Sequence, residues 1–154
     1  QDARAAGVDG IICVDTPPEQ DADCCIPATK HGLHFIRLVT PTSDGARISV
    51  ILRNAGGFLY YVAITGITGT RQADIADTQA AIARLRDMTN LPLAAGFGIR
   101  SAQDVADVSQ FANAAVVGSS IVEHIGNAHA QGKPQAAILA AALGCVSELA
   151  RGIK

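Results

Sequence analysis

The sequence is short of the features that mark several protein classes. It has no basic excess: 12 Lys and Arg stand against 14 Asp and Glu, for a net charge of -2 and a pI near 6.0. The cations are scattered, so no patch exists to neutralise a phosphodiester backbone, and nucleic acid is excluded as a partner. It has no long apolar run either. The stretch from Gly32 to Thr40 is interrupted by His34 and Arg37, far below the roughly 20 residues that a membrane span requires. No membrane association is expected, and the protein should be soluble. The first residues, from Gln1 to Ala6, contain neither Met nor an apolar signal core; they read as the end of an amphipathic helix, so the chain is expected to begin within a longer gene product. Four cysteines, Cys13, Cys24, Cys25 and Cys145, include no CxxC spacing that would hold zinc. Adjacent Cys24 and Cys25 can bridge only as a strained vicinal disulfide. Reduced, structural cysteines are therefore expected.

What is present is a globular composition. With 154 residues and 49% hydrophobic content, the chain suits one domain with a buried core over residues 1–154. Short apolar runs alternate with segments of helical period, the pattern of parallel strands joined by crossover helices. Strands are predicted at Gly10 to Val14, His34 to Val39, Phe58 to Ile64, Pro92 to Ala95 and Ala114 to Val117. Each is apolar on both faces, as strands covered on both sides are. Helices are predicted over Glu19 to His31, Ser43 to Ala55, Ala73 to Thr89, Ser101 to about Phe111, Ser120 to Ala128, and Pro134 to about Ala150. Ser101 with Asp104 has the spacing of an N-cap and a capping acid, and Pro134 suits a first helical turn. Five parallel strands can form a complete doubly wound sheet, or the last five strands of an eight-stranded barrel. Periodicity does not separate the two.

The residues richest in chemical potential follow the last three strands: Thr65 to Gly69, Gly96 to Gly98, and Gly118 to Ser120. Glycines there let backbone N–H groups approach an anion, and a helix start adds a favourable dipole. Any one of these turns is equally explained by tight βα geometry; three together favour a phosphate, which many barrels hold after strands 7 and 8. Asp15 ends the first strand, where a functional role and a turn-capping role weigh evenly. Glu19, in a first helical turn, is favoured simply by the helix dipole. Tyr60 and Tyr61 point to opposite sheet faces, so only one faces a barrel interior. His124 and His129, five apart, and His31 and His34, at a helix end, carry no ligand spacing for a metal.

The order of these motifs resembles the tryptophan synthase alpha chain family. Tyr60-Tyr61-Val62-Ala63-Ile64-Thr65-Gly66-Ile67-Thr68-Gly69 is similar to that family's sixth strand and mobile loop. Gly96-Phe97-Gly98-Ile99 resembles the end of strand 7, and Val116-Val117-Gly118-Ser119 the end of strand 8. Upstream, Val8-Asp9-Gly10 with Val14-Asp15-Thr16-Pro17-Pro18-Glu19 resembles strand 4 and its turn, and Arg37-Leu38-Val39-Thr40-Pro41-Thr42 strand 5. The likeness spans nearly the whole chain.

The resemblance implies an α/β fold of the TIM (β/α)8 barrel type, represented by its C-terminal five βα units. It implies retro-aldol cleavage of indole-3-glycerol phosphate to indole and glyceraldehyde 3-phosphate, within tryptophan biosynthesis. The expected partner is a tryptophan synthase beta chain in an alpha2-beta2 complex. Pyridoxal phosphate belongs to that partner, and no cofactor is expected in this chain. Matched residue by residue, Tyr60, Thr68 and Phe97 bind substrate; Gly69, Gly98, Gly118 and Ser119 cradle its phosphate; Asp15 supports the mobile loops and the subunit interface. Ile64 departs from the arginine that many relatives carry before this loop's Thr-Gly, which removes an anchoring ion pair. The family's catalytic glutamate on strand 2 and aspartate on the following loop have no counterpart after Gln1, so this chain alone is expected to be inactive. Two alternatives stand beside this reading. One is a non-catalytic half-barrel that binds phosphate or a partner and covers its sheet edges by self-association. The other is a different phosphate-binding barrel of amino-acid biosynthesis, against which the Ile-Thr-Gly-Ile-Thr-Gly loop argues.

Overall fold

The computed structural model describes residues 1–63, 75–96 and 98–153. Its strands are β1 (Gly10–Ile12), β2 (His34–Val39), β3 (Leu59–Val62), β4 (Leu93–Gly96) and β5 (Ala114–Ala115). Its helices are α1 (Asp2–Ala5), α2 (Cys25–Lys30), α3 (Gly45–Leu52), α4 (Ile75–Arg86), α5 (Ala102–Val108), α6 (Ser119–Ala130) and α7 (Gln135–Ala150). The strands pair in parallel in the order β1-β2-β3-β4-β5. A doubly wound sheet would reverse its strand order part-way. Here each strand lies beside its sequence neighbour, as in a barrel wall.

The faces of the sheet carry the same message. Register aligns Leu38 with Tyr60 and Tyr60 with Ala94, so these side chains share one face, together with Ile12, Ile36, Val62 and Gly96 by alternation. The other face carries Phe35, Arg37, Val39, Leu59, Tyr61, Leu93 and Ala95. On that second face Val39, Leu59, Tyr61, Leu93 and Ala95 pack with Ile48 and Ile51 of α3, Ile82 and Leu85 of α4, Val105 of α5 and Leu149 of α7. Phe35 packs with Cys25 and Ala28 of α2. The helices thus bury one common face, and the opposite face is left for the interior of the barrel.

Local chemistry explains the element ends. Ser101 Oγ accepts from Asp104 N at 3.1 Å while Asp104 Oδ2 accepts from Ser101 N at 2.9 Å, completing the expected capping box of α5. Asp44 caps α3 by accepting from Arg47 N at 2.7 Å. Pro134 stands at the N-cap of α7 with extended ψ rather than inside the first turn. The segment predicted as one helix from Glu19 to His31 is divided: a 3-10 turn at Pro18–Gln20 precedes α2, which starts only at Cys25. The reason lies between them. Asp21 is drawn into a buried pair with Arg37 of β2, and its other oxygen accepts from Asn54 Nδ2 at 2.7 Å. Arg37 also donates to the Thr16 carbonyl at 3.0 Å and stacks on the Phe35 ring, 4.4 Å from its centroid.

Removing one member of this network leaves a buried, uncompensated charge. Asp21→Ala should lower unfolding stability by about 3–5 kcal/mol, read as a reduced urea midpoint. The double change Asp21→Leu with Arg37→Met should lose much less, because both charges then go together. Equal losses in the two would show that the pair is not the interaction that matters.

Candidate functional site

The inner sheet face is built of apolar and small residues around a single phenol. Tyr60 lies half-buried on that face, while Tyr61, 4% exposed, sits in the helix-side core. Strand alternation requires this division once one tyrosine is inward. The Tyr60 ring covers Gly96 of the next strand but one pair along: a Cβ at Gly96 would stand 2.6 Å from Tyr60 Oη and 2.8 Å from Cε2. Glycine is therefore required at position 96 for the phenol to cross to β4. Burial pushes the Tyr60 hydroxyl above its ordinary range, and burial does the same to Tyr61. Both are held as neutral hydroxyls at physiological pH.

Beyond the strands, two turns meet at one height. Ala95 pairs with Ala115, and Val116 N donates to the Ala95 carbonyl at 2.9 Å. Gly98 and Gly118 follow those paired alanines by the same interval. Gly98 adopts φ of 40°, a left-handed conformation that favours glycine. Gly118 is the N-cap of α6 and Ser119 its first residue, so the free N–H groups of a 12-residue helix begin there. A Cβ at Gly118 would meet nothing within 4 Å. The Arg100–Glu123 ion pair, 2.9 Å, ties the β4–α5 turn to α6. The Gly98 turn and the N-terminus of α6 therefore stand at the same level of the sheet.

Asp15 stands exposed in the turn after β1. With Thr16, Leu38, Thr40 and Arg47 it lines a cavity of about 370 Å3 between the β1–α2 and β2–α3 turns. Glu19 is not in the first turn of a long helix; its carboxylate pairs with both Arg47 Nη atoms, the second at 3.2 Å. That guanidinium holds Glu19 below the usual carboxylate range. Thr68, Gly69, Phe97 and Ile64 lie outside the described residues. Two groups escaped sequence reasoning. Ile12 and Leu38 join Tyr60 on the inner face, a placement that the alternation with Ile11 and Arg37 encodes. Arg37, Asp21 and Asn54 position the Asp15 turn, and the one available signal was a charge inside an otherwise apolar strand. Among the described residues, no group of three or more His, Cys, Asp or Glu is arranged to hold a metal ion, and no helix is long and apolar enough to cross a membrane.

The family model for the tryptophan synthase alpha chain matches residues 1–152. The chain belongs to the tryptophan synthase alpha chain family. Solved relatives share its fold. A tryptophan synthase subunit alpha from Legionella pneumophila is 32% identical, with a TM-score of 0.84 over 99% of this chain and 55% of that one. A Mycobacterium tuberculosis tryptophan synthase chain is 27% identical, with a TM-score of 0.83 over 99% and 54%. A Campylobacter jejuni subunit alpha is 28% identical, with a TM-score of 0.76 over 96% and 56%. The chain therefore spans about half the length of the solved relatives it matches, and its fold is that of five βα units of the family's barrel.

Tyr60 and Tyr61 are the only tyrosines, so an alkaline spectrophotometric titration reads them alone. In the native chain both should ionise above the ordinary value of about 10, returning to it in denaturant. Because the folded values are raised, the associated stability is complete below the unfolded value and is lost as pH rises through the folded one. Superimposable native and denatured curves would show that both hydroxyls are solvated.

Proposed function

We propose that this chain supplies the substrate-phosphate grip and part of the indole pocket of a tryptophan synthase alpha subunit. The whole subunit cleaves indole-3-glycerol phosphate to indole and glyceraldehyde 3-phosphate, and hands the indole to a beta chain that carries pyridoxal phosphate. The observation that carries this reading is the meeting of the Gly98 turn with the N-terminus of α6 at Gly118 and Ser119, at the same end of the sheet toward which the Tyr60 ring leans over Gly96. A phosphate monoester seated there would be held by N–H groups and a helix dipole, its organic part lying along the apolar face of Ile12, Leu38 and Tyr60. Thr68, Gly69 and Phe97 complete the pocket by family resemblance, and Asp15 supports the loops above it.

The retro-aldol step needs one group to protonate the indole ring carbon and another to accept a proton from the ring nitrogen or glycerol hydroxyl. In the family these are a glutamate and an aspartate on earlier barrel units, and no residue of this chain matches them. Further βα units are therefore part of the working protein in this reading. The surface of the β5 end supports it: Leu139, Leu143 and Val146 expose an apolar stripe on α7, beside a cavity of about 380 Å3 lined by Ala114, Ala115, Val117, Ile121 and Leu149. Additional barrel units would cover both.

Two measurements test the proposal. The purified chain should show only background cleavage of indole-3-glycerol phosphate, and addition of the first three βα units of a relative should restore turnover; substantial turnover by the chain alone would place the acid and base within it. For the grip, Gly118→Leu is the informative variant, because the position has open space and no left-handed φ. It should weaken glycerol-phosphate binding at least about tenfold, a difference of about 1.4 kcal/mol, while the chain stays folded with a stability loss of only about 1 kcal/mol from the poorer N-cap. Arg86→Ala, whose guanidinium bonds the Phe111 carbonyl before β5 at 3.0 Å, should leave binding intact. Equal affinity for parent and Gly118→Leu would remove the cradle.

A further inference from the structure

Three of the four cysteines gather where β1 meets α2, and they differ in what surrounds them. Cys25, 1% exposed, is a core residue whose thiol donates to the Asn54 carbonyl at 3.6 Å. Cys13 and Cys24 are only partly buried, and both pack on the same small cluster formed by Cys25, Ala28, Leu33 and Phe35. Cys13 follows β1 on the helix side of the sheet, with Thr16 Oγ1 at 2.8 Å from its sulfur. Cys24 is the N-cap of α2. Burial pushes the Cys24 thiol up, and the neighbouring Cys13 thiol adds to the effect electrostatically, as their packing on one cluster allows. Cys145 lies elsewhere, against Ser120 in the α6–α7 contact.

We infer that Cys13 and Cys24 are a reversible thiol pair that closes to a disulfide across the β1–α2 segment when a low-molecular-weight disulfide is the oxidant. One protein thiolate attacks a sulfur of the small disulfide and releases one small thiol. The second protein thiolate then displaces the other small thiol from the mixed disulfide, so that two protein thiols are oxidised and one small disulfide is reduced to two thiols. The two protons lost by the cysteines end on the released thiols. Cys25 is unsuited to the pairing, since its sulfur faces the core and an adjacent Cys24–Cys25 bridge is strained. The segment enclosed by the bridge carries Asp15, Thr16, Glu19 and Asp21, so closure restrains the turn that Arg37 and Arg47 already hold.

The sequence makes the connectivity readable. Cleavage after Arg4, Glu19 and Lys30 yields peptides 5–19, with Cys13, and 20–30, with Cys24 and Cys25. After incubation of the folded chain with oxidised glutathione, non-reducing mass spectrometry should find these peptides joined, and dithiothreitol should separate them. Cys24→Ser should abolish the joined species, and Cys25→Ala should keep it. Peptide 20–30 lighter by two hydrogens and unjoined would reveal a vicinal bridge and overturn the pairing. Persistent glutathione adducts, disulfide-linked dimers, or two free thiols would overturn it equally. If Cys25→Ala does not fold, backbone fragmentation between Cys24 and Cys25 in the wild-type joined peptide assigns the bridged sulfur. Faster-than-reduced hydrogen exchange over 14–23 in the bridged form would count against closure of the segment, and slower exchange is expected.

Discussion

Burial of a single sheet face beneath the helices is the constraint from which the rest of this structure follows. Parallel strands joined by right-handed crossovers put their connections on one side when each strand adds next to the last. Val39, Leu59, Tyr61, Leu93 and Ala95 then meet α3, α4, α5 and α7 in one core. The opposite face is freed from packing against helices. Ile12, Leu38, Tyr60 and Gly96 project there, and their identities are set by what must fit among the strands rather than beneath a helix. The Tyr60 ring over Gly96 shows this division: one residue earlier or later in register, the phenol would lie in the helix layer, where Tyr61 is.

The same arrangement separates what could be read from the residues alone and what could not. Strand positions were legible because their apolar runs are short and bounded by turn residues, and the Ser101 capping box because its partners lie within one turn. Strand order was not, since the same five βα units are compatible with a doubly wound sheet. The choice of Tyr60 over Tyr61 needed either the family likeness or the fold, because alternation says only that the two differ. The division of the segment from Glu19 to His31 was hidden for another reason. Its cause is a contact between Asp21 and an arginine 16 residues away, with Asn54 still farther along the chain, and no local preference encodes it. The strand ends β4 and β5 were legible as glycine turns, but their equal height came from the Ala95–Ala115 register.

Arg37 is the point at which packing and site meet. A cation inside an apolar strand is costly to desolvate unless its donors are met. Here two terminal nitrogens find Asp21 and the Thr16 carbonyl, the planar group covers Phe35, and only Nε lacks a partner. The geometry works because Arg presents a rigid fork; a lysine could not reach two acceptors and stack at once. The consequence is local rather than global. By gripping the Thr16 carbonyl and Asp21 together, the guanidinium fixes both ends of the segment that follows Asp15, while Arg47 anchors Glu19 between them from α3.

That distribution of charge also limits how an anion can be held at the strand ends. Arg37 faces Asp21, Arg47 faces Glu19 and Arg100 faces Glu123. Each of these arginines is already close to a carboxylate, so binding an anion through any of them means competing with a fixed intramolecular partner. Backbone N–H groups at the start of α6 have no intrahelical partner, and a helix N-terminus contributes its partial positive charge without a titrating group. An anion held in this way gains from geometry more than from net charge. Its binding should depend on salt less steeply than binding to a lysine patch would, because few counterions are displaced from a site whose side-chain charges are already paired. In the proposed cradle, selectivity would then rest on the spacing of the donors around a tetrahedral group, which the β4–β5 register would set and which no single side-chain charge could supply.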